Sequence, residues 1–103
     1  MADAYKTLYQ GQLPSTVGTL YTAPTACVIK CIVLVNTASS AQTFQLFKKG
    51  TAATNAWTPV WTIPSLGSMQ WDGTESLTSG DTLSGVGQTA TTITVTISGD
   101  EVT

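Results

Sequence analysis

The sequence contains no histidine and no arginine, and its only side-chain cations are four lysines among 103 residues. Without histidine there is no Ser-His or Cys-His nucleophile pair. Zinc or another transition metal would have to be held by two thiols and scattered carboxylates, a poor ligand set. Four lysines, a net charge of −2 and a pI near 4.5 do not make the run of cations that phosphates require, so no nucleic-acid partner is expected. The longest unbroken apolar run, Cys31 to Val35, is too short to cross a bilayer. The opening stretch, Met1 to Lys6, is polar with no apolar segment behind it. Neither a signal peptide nor a membrane partner is expected. Charged residues make up 10% of the chain against about 25% in an average domain, so hydroxyls and amides must supply the polar surface.

What is present fits a β-protein. Threonine is about a fifth of the chain, and its branched Cβ suits a pleated surface. Hydrophobic residues make up 42%, enough for one modest core, and the length predicts a single domain over residues 1–103. Turn signals recur every eight to twelve residues or so, the spacing of a sandwich or barrel, and no helical stripe with caps interrupts them. About eight short strands are predicted: Tyr5 to Gln10, Val17 to Thr22, Cys27 to Asn36, Gln42 to Lys48, Trp57 to Ile63, Ser68 to Asp72, Thr82 to Val86 and Thr91 to Ser98. Pro59 places the fifth on an edge or at a bulge. Residues Gly50 to Asn55 read as a loop, and Asp100 to Thr103 as a polar tail. The expected fold is an all-β antiparallel β-sandwich, jelly-roll-like or Ig-like, with a short N-terminal arm at residues 1–5.

Alternation assigns faces. In the last strand Ile93, Val95 and Ile97 point one way and Thr92, Thr94, Thr96 and Ser98 the other. The third strand is apolar on both sides: Val28, Ile32 and Leu34 on one, with Lys30 among them, and Ile29, Cys31, Val33 and Val35 on the other. An antiparallel strand of this kind needs cover on both faces. A sandwich covers one, so the second calls for the loop Gly50 to Thr58 or a neighbouring subunit. Ile29, Val33 and Val35, with Trp57 and Trp61, are the candidate oligomer or docking interface. Cys27 and Cys31 on one regular strand lie about 13 Å apart, beyond disulfide reach. Free thiols fit synthesis in a reducing cytoplasm.

The remaining polar residues carry little chemistry. Asp72-Gly73 and Gly80-Asp81 have the form of turns. Asp72 and Glu75 are at most a weak calcium pair. Lys48-Lys49-Gly50 reads as a charged hairpin end that discourages edge pairing. Trp57, Trp61 and Trp71 are core or interface anchors or, if exposed, an aromatic platform for a glycan. No enzymatic activity, metal or cofactor is expected.

A set of segments adds a family resemblance: Leu8-Tyr9-Gln10-Gly11-Gln12, then Thr19-Leu20-Tyr21-Thr22-Ala23-Pro24, then Val28-Ile29-Lys30-Cys31-Ile32-Val33-Leu34-Val35-Asn36-Thr37, then Ser79-Gly80-Asp81-Thr82-Leu83 and Thr94-Val95-Thr96-Ile97-Ser98-Gly99. In this order they resemble the small β-sandwich structural proteins of tailed-bacteriophage virions, which occur as capsid decoration proteins, head or neck fibres and tail-associated domains. The resemblance covers nearly the whole chain. It departs at Pro24-Thr25-Ala26, where such proteins often have Pro-Ala-Gly. It implies a virion location after synthesis in a bacterial host and self-assembly, most simply as a homotrimer. It also implies docking on the major capsid protein or another virion protein to stabilise the shell. The alternative is a carbohydrate- or receptor-binding module of a head, neck or tail fibre.

Overall fold

The computed structural model describes residues 3–51 and 53–102. Eight strands follow one another: β1 (Asp3–Gln12), β2 (Gly18–Thr22), β3 (Cys27–Asn36), β4 (Gln42–Lys48), β5 (Trp61–Ile63), β6 (Ser68–Leu77), β7 (Thr82–Gly87) and β8 (Ile93–Val102). A single 3₁₀ turn, Ala53–Asn55, precedes β5. The strands form two antiparallel sheets, ordered β1-β8-β3-β6 and β2-β7-β4-β5. Only the β4–β5 connection stays within a sheet; every other one crosses the sandwich. That order is the eight-stranded jelly roll, and it differs from the immunoglobulin arrangement, in which the first two strands share a sheet.

The core is built from alternate positions of both sheets. Ile93, Val95 and Ile97 of β8 point inward and are buried, as their alternation predicts. They meet Leu20, Phe44, Leu46, Ile63 and Leu83 from across the sandwich, with Leu13 of the β1–β2 connection beside them. Gly99 and Glu101 extend the same inward row, because β8 does not stop at Ser98. The expected polar tail is strand through Val102, held by β1 through the pairs Asp3↔Val102, Ala4↔Glu101 and Tyr5↔Asp100. Residues 3–5 of the candidate arm are therefore strand, and Met1 and Ala2 lie outside the described residues.

The third strand departs from simple alternation. Its register with both neighbours slips between Ile29 and Cys31, so Lys30 forms a bulge. An extra residue in one strand reverses the sense of every side chain beyond it. Cys27, Ile29, Ile32, Leu34 and Asn36 thus all face the core and are buried, while Val28, Cys31, Val33 and Val35 face outward. Two expectations change. Ile29 is a core residue and not part of an outer docking face. The two free cysteines sit on opposite faces of the sheet.

The neighbouring strand β6 carries the matching irregularity. Ile29 pairs with Glu75 and Cys31 with Asp72, which leaves Gly73 and Thr74 opposite the bulge. The segment Asp72-Gly73, expected as a turn, is strand interior for that reason. Asp81 does sit in a turn: its carboxylate accepts from the Thr78 backbone N–H at 2.9 Å and the Thr78 hydroxyl at 3.0 Å. These hydrogen bonds hold its carboxyl below the usual range.

Candidate functional site

The two long sides of the sandwich differ. On the β1/β2 side the sheets are tied together by polar groups. Tyr21 of β2 donates to Glu101 Oε2 of β8 at 2.5 Å, and Lys6 of β1 reaches Glu101 Oε1 at 2.6 Å. Burial, followed by the Glu101 hydrogen bond, pushes the Tyr21 phenol well above its ordinary value. Burial also raises the Cys27 thiol beside it. Glu101 goes the other way, held low first by the Lys6 hydrogen bond and then by Tyr21. A carboxyl whose folded pKa lies below its unfolded value near 4.3 contributes fully above that value and loses the contribution as pH falls through the folded one. Thermal stability should therefore drop in the acid range below about pH 4.5. Glu101→Gln should lower stability at pH 7 and flatten the acid slope, as melting curves from pH 7 to 3 would show. An unchanged slope in the variant would remove this seam from the account.

On the opposite side, where β5 and β6 are the sheet edges, the sandwich gapes. A cleft of about 260 Å³ enters between the sheets. All three tryptophans border it. Trp61 opens β5, pairs with Phe44 of β4 and meets its ring edge-to-face at 5.9 Å. Trp71 lies on the inward side of β6, opposite Ile32. Trp57 is in no strand. It follows the 3₁₀ turn and is held by backbone hydrogen bonds from Trp57 and Thr58 N–H to the Leu46 carbonyl, at 2.8 and 3.3 Å. The Thr58 hydroxyl accepts from Leu46 N–H at 3.1 Å and donates to the Pro59 carbonyl at 2.9 Å, so the approach to Trp57 is fixed on both sides. Trp57 meets Trp71 edge-to-face, with centroids 5.0 Å apart. Edge-to-face pairs set the positive ring edge against the negative face and add about 1 kcal/mol beyond burial.

An ion pair closes one end of the cleft. Lys48 of β4 reaches Glu75 of β6 at 2.7 Å and lies 5.9 Å from the centroid of the Trp57 ring. Lys48 thus joins the two sheets, which differs from the charged hairpin end expected for Lys48-Lys49. At the other end Asn36, fully buried, donates through Nδ2 to the carbonyls of Ser40, Ile63 and Pro64 at 3.0–3.1 Å and accepts from Ala38 N–H at 2.9 Å. That network holds the β5–β6 turn against the end of β3.

The expected interface residues divide between two surfaces. Trp57 and Trp61 belong to the cleft. Val33 and Val35 lie on the outer face of the β1-β8-β3-β6 sheet, with Val35 37% exposed. The loop at residues 50–58 does not cover that face, because it packs on the other sheet through the Phe47↔Ala56 bridge and the Leu46 contacts. The outer stripe Val28, Cys31, Val33 and Val35 is flanked by Thr94, Thr96 and Ser98 of β8 and by Ser68, Gln70 and Asp72 of β6. Met69 is the cleft residue that sequence reasoning missed. Its signal was present: Met69 and Trp71 alternate with Ser68, Gln70 and Asp72.

Asp72 accepts a hydrogen bond from Gln70 at 3.1 Å, and Glu75 is engaged by Lys48. Among the described residues no three His, Cys, Asp or Glu side chains cluster as a metal site would require. No family model, curated protein or solved structure matches the chain. The functional reading therefore rests on the residues and on the two surfaces.

Proposed function

We propose that this chain is a non-enzymatic structural protein of a phage particle, a decoration or minor capsid protein that self-associates, most simply as a trimer, and docks on the major capsid lattice. The segments that resemble virion proteins, from Leu8 to Gly99, support the particle reading. The observation that carries the self-association is the outer face of the first sheet. It is made of four strands of ten residues each. Its central stripe is short and apolar, bordered by hydroxyl-bearing side chains of β8 and by Ser68, Gln70 and Asp72 of β6. Four such strands present about 600 Å², close to the roughly 800 Å² each partner contributes to a standard interface. Short side chains lose little rotamer entropy when a second copy covers them.

Light scattering on the purified protein tests this. The expected mass is a multiple of 10.7 kDa at micromolar concentration. The paired substitution Val33→Asp with Val35→Asp should return the monomer, while Leu66→Asp, at a site 74% exposed, should not. A wild-type protein that is monomeric at those concentrations overturns the self-association. Co-sedimentation with capsids assembled from the major capsid protein tests the docking.

A second reading, a carbohydrate- or receptor-binding module of a fibre, is favoured by the convergence of Trp57, Trp61 and Trp71 on one cleft. Quenching of tryptophan emission by oligosaccharides separates the two, since sheet self-association leaves the cleft unoccupied.

A further inference from the structure

The cleft and the strand beside it form one surface. β6 is a sheet edge ten residues long, so one side of its backbone has no strand partner. Natural edges are blunted by shortness, proline, charged side chains or bulges. The facing edge, β5, follows this pattern, with three residues and prolines at positions 59 and 64 on either side. β6 has neither proline nor lysine, and its irregularity at Gly73 and Thr74 and its ion-paired Glu75 lie in the second half of the strand. In its first half, residues 68–72, pairing with β3 is regular, and Met69 and Trp71 turn inward to the cleft while Ser68, Gln70 and Asp72 turn out. A strand added beside residues 68–72 would continue the sheet over the cleft mouth. Its alternate side chains would then point into the space between Trp71 and Trp61.

We propose that this surface binds an extended peptide segment of a partner protein by strand addition to β6, with apolar residues at alternate positions entering the tryptophan cleft. The cleft chemistry selects apolar side chains over sugars. The cleft lining is mostly apolar. Of its three polar side chains, the Thr58 hydroxyl is engaged on both its donor and acceptor sides and the Gln70 amide donates outward to Asp72. Thr62, on an exposed position of β5, is the remaining one. Most sugar hydroxyls entering between the rings would find no partner, which weakens binding. The rings also meet edge-to-face, so Trp57 and Trp71 do not lie coplanar as one continuous platform. At about 260 Å³ the space is below the roughly 300 Å³ at which drug-sized pockets begin, and it suits side chains. Strand addition supplies affinity through the backbone and specificity through alternate pockets.

Charge selects the partner. β6 carries Asp72 and Glu75 and no cation. Glu75 is engaged by Lys48, so Asp72 is the acid left facing outward. Pairing of β6 with β6 of a second copy about its centre would bring two Asp72 carboxylates near each other, which is unfavourable across strands. The segment is therefore basic as well as apolar, with lysine or arginine at its outward positions, facing Asp72.

A displayed library of ten-residue segments, with apolar residues fixed at alternate positions and the rest randomised, tests this on the full-length protein. The expected binders are enriched in lysine and arginine and shift tryptophan emission. They should slow hydrogen exchange of the backbone amides in residues 68–72. Trp71→Ala should weaken them tenfold or more, and Met69→Asp, at the cleft mouth, should do the same. Met69→Asp keeps all three tryptophan rings, so melting curves can separate lost binding from lost fold. A library that yields no binder, or binders that leave those amides unprotected, overturns the proposal. So does displacement of binders by cello- or chito-oligosaccharides, which would assign the cleft to sugars. The cleft is separate from the outer sheet face, so a monomeric protein that binds the segment would leave this inference standing while the self-association fails.

Discussion

Gly99→Ala is expected to destabilise the protein by about 3 kcal/mol, the upper part of the range for overpacking a well-filled interior. Gly99 lies in β8, between Lys6 of β1 and Ile29 of β3, at the level where β3 bulges. The bulge brings the β3 backbone toward β8, and a Cβ on Gly99 would overlap the Val28 carbonyl oxygen and lie 3.1 Å from Ile29 Cα. Both are backbone atoms, so no side-chain rotation relieves the clash. β8 must move away from β3, and β8 is an interior strand whose displacement also strains its pairing with β1. For a chain of this size the loss corresponds to a fall in Tm of roughly 15 °C. Gly18→Ala is the control, since a Cβ there meets Pro14 Cγ at an ordinary 3.4 Å. A Gly99→Ala protein that melts within a few degrees of wild type would mean that the two strands do not approach so closely.

The second large effect is at Asn36. Its carboxamide is buried and engages four backbone groups, its two N–H groups shared among the carbonyls of Ser40, Ile63 and Pro64 and its oxygen accepting from the N–H of Ala38. Asn36→Ala leaves several of them without a partner at about 1–3 kcal/mol for each group that water does not reach. A total loss of about 3 kcal/mol is expected, read from urea unfolding. Asn36→Asp distinguishes hydrogen bonding from shape. The aspartate is nearly isosteric and keeps the acceptor for Ala38, but it places a carboxylate oxygen about 3 Å from three carbonyl oxygens in place of the Nδ2 donor. Its folded pKa must rise above the unfolded value near 3.9. At pH 7 the variant should be less stable than Asn36→Ala, and it should regain stability as pH falls toward 4, where the folded form takes up the proton. Wild type moves the other way over the acid range because of Glu101. Equal and pH-independent losses in the two variants would show that the four hydrogen bonds contribute little.

Much of the fold was legible because it rests on local signals. The alternation of Ile93, Val95 and Ile97 with threonines placed β8 and its buried face. Turn residues spaced the strands, and Pro59 marked β5 as an edge. Two of the errors share one cause. Lys30 looks like any residue in an alternating run. It becomes a bulge because β8 offers Gly99 and β6 offers Gly73 and Thr74 opposite it, residues about 70 and 43 positions away. Ile29 was therefore assigned to the outer face when it belongs to the core. The same distant pairing drew Asp72-Gly73 out of a turn and into a strand.

The candidate site was legible in part. The three tryptophans stood out by type, but a regular strand from Trp57 to Ile63 would have set two of them on one exposed face. The 3₁₀ turn and the Leu46 hydrogen bonds hold Trp57 outside any strand, and the crossing from β5 to β6 carries Trp71 to the other sheet. Met69 joins them only through its register with Leu34.

By itself, then, the sequence determined an all-β chain of about eight strands, the inward row of β8, and an inventory without histidine or arginine. Those follow from side-chain period, turn chemistry and residue type, which act within a few positions. The tertiary structure alone decided the jelly-roll order, the bulge that turns Ile29 inward, the covered and uncovered faces of β3, and the meeting of Trp57, Trp61 and Trp71. Each of these depends on which strands pair and in what register. Pairing is settled by contacts between residues far apart in the chain, where no local pattern records it.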